Sequence, residues 1–236
     1  MESASPDSEG DSDAVVQMIE TADRRSDQTS AHQQGAGETD IFIAKLSADG
    51  TFDWSVRYGG AAGDGVGSES GRIVAVSDTC DIVLAASYRS NFDFDGTSLI
   101  NKGEGDVAVL RLTAGGTPVS AVVMGGPEGD WPAGLALDAG GNILVSLESE
   151  CGIDLGGGPL PQQGGNDFVL GKLTGDGTHL WSRRFGDSST QYAGGIAADP
   201  EGAAIFVGEL EGTVDFGLGA LTETSGSAAV AVKFAP

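Results

Sequence analysis

Basic side chains, aromatics, histidines and long apolar runs are all scarce in this chain, and each scarcity removes a class of protein. Lysine and arginine together number 12 against 35 Asp and Glu, a formal net charge of −23. Such a chain repels phosphate backbones and anionic lipid surfaces, so neither nucleic acid nor membrane is expected as a partner. The two histidines, His32 and His179, have no neighbours at metal-ligand spacing. No apolar run approaches the length needed to cross a bilayer, and Met1-Glu-Ser-Ala-Ser has neither the basic nor the apolar region of a signal peptide. Glycine, by contrast, is abundant at 39 residues. With few aromatics, it fits many short strands joined by tight turns and disfavours a helix-rich fold.

What is present is repetition. Asp40-Ile-Phe-Ile-Ala-Lys45-Leu46, Asp106-Val-Ala-Val-Leu-Arg111-Leu112 and Asp167-Phe-Val-Leu-Gly-Lys172-Leu173 open alike, and a partial fourth unit starts at Ala228. Repeats of this length indicate an array of stacked supersecondary units. Each unit contains four strand-like pieces. Strand A is Ile73–Val76, matched by Leu135–Leu137 and Ile196–Ala198; strand B is Ile82–Ala86, matched by Ile143–Leu147 and Ala204–Val207. Strand C is the Lys-Leu or Arg-Leu strand just quoted, and strand D is Trp54–Tyr58, matched by Ala121–Met124 and Trp181–Phe185. Short A–B turns and two-residue C–D tips at Asp49-Gly50, Gly115-Gly116 and Asp176-Gly177 make the unit an antiparallel meander. Strand A is rich in small residues and strand D carries Trp and Arg, which favours a β-propeller with A at the crowded axis and D at the rim.

The stretch Asp167–Gly186 and the segment Gly212-Thr-Val-Asp-Phe-Gly217, with Leu221-Thr222 and Ser225-Gly226, resemble the SBBP β-propeller repeat family of large surface or secreted proteins in myxobacteria and related bacteria. The resemblance covers about residues 40–236 and departs at Ala121, where a Trp is expected. It implies an all-β propeller of four-stranded antiparallel blades and an extracellular or cell-surface setting in a bacterial protein, and it implies no catalytic residue.

Residues 1–39 read as an acidic, mostly disordered tail or degenerate half-repeat, with residues 40–236 as the repeat domain. The exception in the tail is Ala14–Glu20, an apolar run similar to strand B. The clear repeats begin and end on strand C, and using Trp54–Tyr58 to complete the last blade would leave a ring of three. The expectation is therefore an incomplete or open array of three to four blades, self-associating through its open edges.

In such a meander the A–B and C–D turns leave one end, and the longer B–C and D–A loops leave the other. The B–C loops are expected at Asn91–Gly105, Gly152–Asn166 and Gly212–Ser227, the D–A loops at Gly59–Gly71, Gly125–Pro132 and Gly186–Ala193. Long loops on a rigid scaffold are the usual place for binding, so the candidate ligand-binding residues are Asp64, Asp93, Asp95, Asp130, Trp131, Asp154, Tyr192 and Asp215. Asp93, Asp154 and Asp215 recur at one repeat position, as expected of carboxylates that accept backbone N–H bonds in a turn. Asn91-Phe-Asp93-Phe-Asp95-Gly96 imitates half of an EF-hand loop, but Lys102 stands where the bidentate Glu is required, leaving at most a weak, irregular calcium site. Gly63–Gly67 has no helix after it, so it is not a phosphate cradle. Cys80 and Cys151 are assigned to opposite ends of neighbouring units and are expected as free thiols.

The sequence thus favours a non-enzymatic β-propeller repeat module, a surface scaffold or interaction protein that binds a protein or glycan through its long-loop face and needs no cofactor. One alternative is a calcium-stabilised carbohydrate-binding or adhesive module. The other is a hydrolase or lyase using loop-borne acids.

Overall fold

Runs of apolar side chains interrupted by Gly, Asp and Asn leave the backbone no partner within a run, so its N–H and C=O groups must pair between runs. The computed structural model describes residues 15–17, 41–58 and 73–235, and every regular element among them is a β-strand. The expected tail apart from 15–17, Asp64, His32 and the loop Gly59–Gly71 lie outside the described residues.

Four antiparallel sheets follow one another along the chain. The first contains β1 (Val15–Gln17), β2 (Ile41–Leu46) and β3 (Phe52–Tyr58) in that order. The second begins with β4 (Ile73–Val76) and β5 (Ile82–Tyr88), passes through a small hairpin, β6 (Phe92–Phe94) and β7 (Thr97–Leu99), and ends with β8 (Asp106–Leu112) and β9 (Pro118–Met124). The third repeats this plan with β10 (Asp130–Leu137), β11 (Ile143–Ser149), hairpin β12 (Ile153–Asp154) and β13 (Pro159–Leu160), then β14 (Asp167–Leu173) and β15 (His179–Phe185). The fourth contains β16 (Gln191–Ala198), β17 (Ala204–Asp215) and β18 (Ala220–Phe234). Sheets two and three are the expected A-B-C-D meander. Register makes the units equivalent, since Val15, Ile82, Ile143 and Ala204 lie opposite Leu46, Leu112, Leu173 and Phe234. The apolar run in the expected tail therefore supplies strand B of a degenerate first unit.

Several boundaries differ from the sequence reading. Strand A starts at Asp130 and Gln191, so Asp130, Trp131 and Tyr192 belong to strands and not to D–A loops. A bulge in the A–B ladders of the third and fourth sheets lets the strand continue past the irregularity. The B–C segments fold as hairpins, and in the fourth unit β17 and β18 simply keep pairing, from Gly212 opposite Glu223 to Asp215 opposite Ala220. The C–D tips span five residues, not two: the Ser47 N–H donates to the Thr51 carbonyl at 2.9 Å and the Gly50 N–H to the Ser47 carbonyl at 2.8 Å. Gly50, Gly116 and Gly177 hold the left-handed position of this turn at φ +82°, +81° and +91°. The A–B turns use the same pair of bonds, with Gly141, Gly202 and, in the second sheet, Cys80 at φ +62°. Strand D at Phe52–Tyr58 pairs with its own Ile41–Leu46 and so does not complete the fourth sheet.

Alternate residues of each strand point to opposite faces, and the core divides accordingly. One apolar cluster joins sheets one and two through Ile41, Ile43, Leu84 and Leu110. A second joins sheets two and three through Val83, Val109, Val145 and Leu147. A third joins sheets three and four through Leu144, Phe168, Ile196 and Phe206. The sheets are therefore stacked face to face in chain order. From the second sheet to the fourth, their closest approach runs along the A strands. Val83, Leu135, Leu144, Ile196 and Phe206 are buried. Ile73, the first residue of β4, is half-buried and packs against the apolar cluster between sheets two and three. Asp49, Asp176 and Glu201 are exposed at turns, and neither Cys80 nor Cys151 is in a disulfide.

Polar clamps reinforce the apolar contacts. The basic residue next to the end of strand C reaches the following sheet in every case but the last: Lys45 donates to the Ala114 carbonyl at 3.4 Å, Arg111 to that of Gly175 at 2.7 Å, and Lys172 to that of Gly202 at 3.0 Å. Arg111 also pairs with Asp81 at 2.8 Å and Lys172 with Asp138 at 2.9 Å. The recurrent Lys/Arg-Leu motif is thus an inter-sheet fastening.

Candidate functional site

At the long-loop end, the recurrent aspartates are engaged with their own turns. Asp154 accepts the N–H groups of Gly156 and Gly158 at 2.7 and 3.1 Å, and Asp215 accepts those of Gly217 and Gly219 at the same two distances. These four glycines have φ between +97° and +109°, which a side chain would strain. Asp93 accepts the Gly96 N–H at 2.8 Å. Each carboxylate stabilises a hairpin tip, the role anticipated for an Asp at one repeat position. Asp95 is exposed in the neighbouring turn. Its charge, added to burial, pushes the Tyr58 phenol up to about 12. The three recurrent acids sit on the hairpins of three different sheets, and among the described residues no three His, Cys, Asp or Glu groups converge as a metal site.

Trp131 and Tyr192 occupy the same place, opposite Glu148 and Glu209 at the start of strand A. Trp131 is half-buried and Tyr192 is 46% exposed. Burial raises the Glu148 carboxyl above its ordinary range, and the Ala193 N–H pulls the other way. Position 131/192 is therefore where the scaffold presents aromatic surface beside a carboxylate.

Beneath this end lies a set of buried polar groups that sequence reasoning did not assign. Asp106 and Asp167, the first residues of strand C, are fully buried. Asp106 accepts the Lys102 N–H at 2.8 Å. Asp167 accepts the Gln163 N–H at 3.1 Å and pairs with the Arg184 guanidinium. Arg184 also donates to the carbonyls of Ser149 and Cys151. Each carboxylate lies across a glycine at the end of strand D: a Cβ at Gly125 would stand 2.2 Å from Asp106 Oδ1, and one at Gly186 would stand 1.9 Å from Asp167 Oδ1. The signal was in the sequence as a paired spacing, Asp106 with Gly125 and Asp167 with Gly186, repeated by Asp40 and Gly59.

The second unit has Val123 where the third has Arg184, so Asp106 lacks the guanidinium that serves Asp167. Burial raises its pKa, opposed by the Lys102 N–H. Asp130, only 2% exposed, is pushed up to about 7 by burial and further by the Asp106 charge, against the Ser149 hydroxyl, the Gly126 N–H at 2.8 Å and the charge of Arg184. This carboxyl exchanges its proton near neutrality, but it is closed off from solvent. Its chemistry is that of a structural titrating group inside the stack.

The opposite end carries a feature that loop length did not predict. A cavity of about 580 Å³ opens where three successive A strands finish, lined by Val76, Leu137, Ala198, Arg111, Asp138 and Asp199 among others. Its charged walls are largely committed: Arg111 to Asp81, Asp138 to Lys172, and Asp199 to Lys233. Asp138 also accepts the N–H groups of Gly140 and Asn142 at 2.8 and 2.9 Å. Burial raises its pKa, but the bonds from Asn142 and Lys172 outweigh this and hold it below the usual carboxylate range.

No protein-family model matches this chain, and no curated protein matches it.

Proposed function

We propose that this chain is a non-catalytic β-propeller-type repeat module, a surface scaffold or interaction protein that docks its partner on the long-loop end. The observation that carries the reading is the division of labour among its polar residues. Those that recur, Asp93, Asp154, Asp215, Lys45, Arg111 and Lys172, bind turn backbones or fasten neighbouring sheets. Stacking of four-stranded meanders in chain order, closest along strand A, supports blades that fan outward from an inner edge. A rigid stack with hairpins at one end suits recognition, since loops on a stable frame can vary without disturbing the core.

A second reading, recognition of a glycan and not a protein, is favoured by Tyr192, which presents its ring beside Glu209 in the manner of an aromatic platform with a polar edge. Both readings are tested by titrating the protein with a glycan panel and with candidate extracellular proteins, with and without calcium, by calorimetry. Tyr192→Ala is expected to weaken the binding found by about tenfold or more, as for an aromatic hot spot. Asp78→Asn, at the opposite end, is expected to leave it unchanged. Binding that is lost with Asp78→Asn and kept with Tyr192→Ala would move the site to the short-turn cavity.

A further inference from the structure

The three internal junctions of the stack share one design. On the side facing the next sheet, strands B and C present apolar residues at alternate positions: Val83 and Val109 in the second sheet, Leu144 and Leu170 in the third, all at most 2% exposed. The basic residue opposite Val83 or Leu144, Arg111 or Lys172, then donates to a turn carbonyl of the following sheet. In the fourth sheet the register puts Ile205 and Val207 of β17 and Ala229 and Ala231 of β18 at these same positions. Here they are uncovered: Ile205 is 37% and Val207 46% exposed, and both alanines are exposed. Lys233 stands opposite Ile205 as Lys172 stands opposite Leu144. It is salt-bridged to Asp199 of its own sheet, as Lys172 is to Asp138, yet its side chain is 60% exposed. Half of the fastening is made, and among the described residues the Lys233 ammonium meets no second sheet.

We infer that this face binds the first sheet of a second copy of the chain, continuing the stack from head to tail. The surface it needs is one that, in sheets two to four, always faces the preceding sheet. In the first sheet that surface is strand C's alternate set, opposite in facing to Ile41 and Ile43, which pack against sheet two; Phe42 and Leu46 there are half-buried and Ala44 between them is buried, so the two larger side chains supply the accessible apolar area. No earlier sheet of the described chain covers it. The contact would repeat an interface already made three times within the molecule, with Lys233 donating to a turn carbonyl of the incoming copy. Because the chain carries a net charge of −23, association strengthens as salt screens the repulsion between copies. The inference rests on the repeat-module reading, but not on any ligand at the long-loop end.

The test is sedimentation velocity on the full chain from about 1 to 100 µM at low and high salt. The wild-type mass is expected to rise with concentration, more so at high salt. Val207→Glu places a charge at the centre of the face and is expected to weaken association about tenfold or more. Ala231→Glu, on the neighbouring strand, is the second variant, and Lys233→Ala should weaken it less. Each variant must keep the wild-type melting temperature and circular dichroism, which is expected because the residues are exposed in the monomer. Association that survives both glutamate variants would assign it to the unpaired edge of β18 and overturn the proposal. A compact monomer at every concentration and salt would overturn it as well. In either case a partner bound through Tyr192 would leave the functional reading standing.

Discussion

Replacing Lys172 by Met tests whether the recurrent basic residue fastens the sheets. Its ammonium lies 2.9 Å from Asp138 and 3.0 Å from the Gly202 carbonyl, with the two paired side chains only 9% and 4% exposed. Removing one partner of a buried pair typically costs about 3–5 kcal/mol. Here the stranded carboxylate keeps the N–H groups of Gly140 and Asn142 and the Asn142 side-chain amide, so the cost should fall to about 2–3 kcal/mol, including the hydrogen bond lost across the sheet junction. Equilibrium urea unfolding of wild type and variant at pH 7 measures it. The pH dependence supplies a second readout. Asp138 is held below the ordinary aspartate value of 3.8 in the folded chain, so its contribution is present above about pH 4 and is lost as pH falls through the lower folded value. The gap between wild type and Lys172→Met should therefore begin to narrow only as pH falls below about 4. A gap below about 0.5 kcal/mol at pH 7, or one that does not change with pH, would refute the fastening role.

Three further expectations follow from the same stack. Cys80→Gly should stabilise the protein by about 1 kcal/mol in thermal melts, because the equivalent turns place Gly at this left-handed position and Cys80 holds φ +62°; a lowered melting temperature would mean that the thiol contributes more than the strain costs. Leu144→Ala, at a fully buried position between sheets three and four, should cost about 2–5 kcal/mol, and an unchanged unfolding midpoint would contradict the strand assignment. Asp130 has a folded pKa of about 7 against 3.8 ordinarily, so the native state holds a proton that the unfolded chain has released. Stability should decline as pH rises from about 4 to about 7, by up to about 4 kcal/mol in all, and Asp130→Asn should flatten the profile across that range; a variant that declines as steeply as wild type would remove Asp130 as the cause.

Much of this architecture was legible because the repeat supplies its own internal controls. In the two complete sheets strand B is buried on both faces, so it reads as the unbroken apolar runs Ile82–Ala86 and Ile143–Leu147, and its position was correct. Strand A was read too short: its first residues, Asp130-Trp-Pro and Gln191-Tyr, look like loop, and only the bulge lets them keep pairing. The hairpins in the B–C segments were missed because each strand is two or three residues long, too short for periodicity to show. At the long-loop end, the turn-binding role of Asp93, Asp154 and Asp215 followed from their fixed position. The buried pairing of Asp167 with Arg184, and its absence around Asp106, required knowing that strand D lies beside strand C. The cavity at the short-turn end is a property of three sheets together, and no single unit encodes it.

The most direct test of the stacked, open architecture is amide hydrogen exchange on the full chain at a concentration where it is monomeric. The slowest exchange is expected in the central strands of the two complete sheets, Ile82–Tyr88, Asp106–Leu112, Ile143–Ser149 and Asp167–Leu173, and markedly faster exchange along Ala220–Phe234, where one edge and one face are uncovered. Protection of Ala220–Phe234 equal to that of Asp167–Leu173 would show the last sheet to be covered and the stack not to be open.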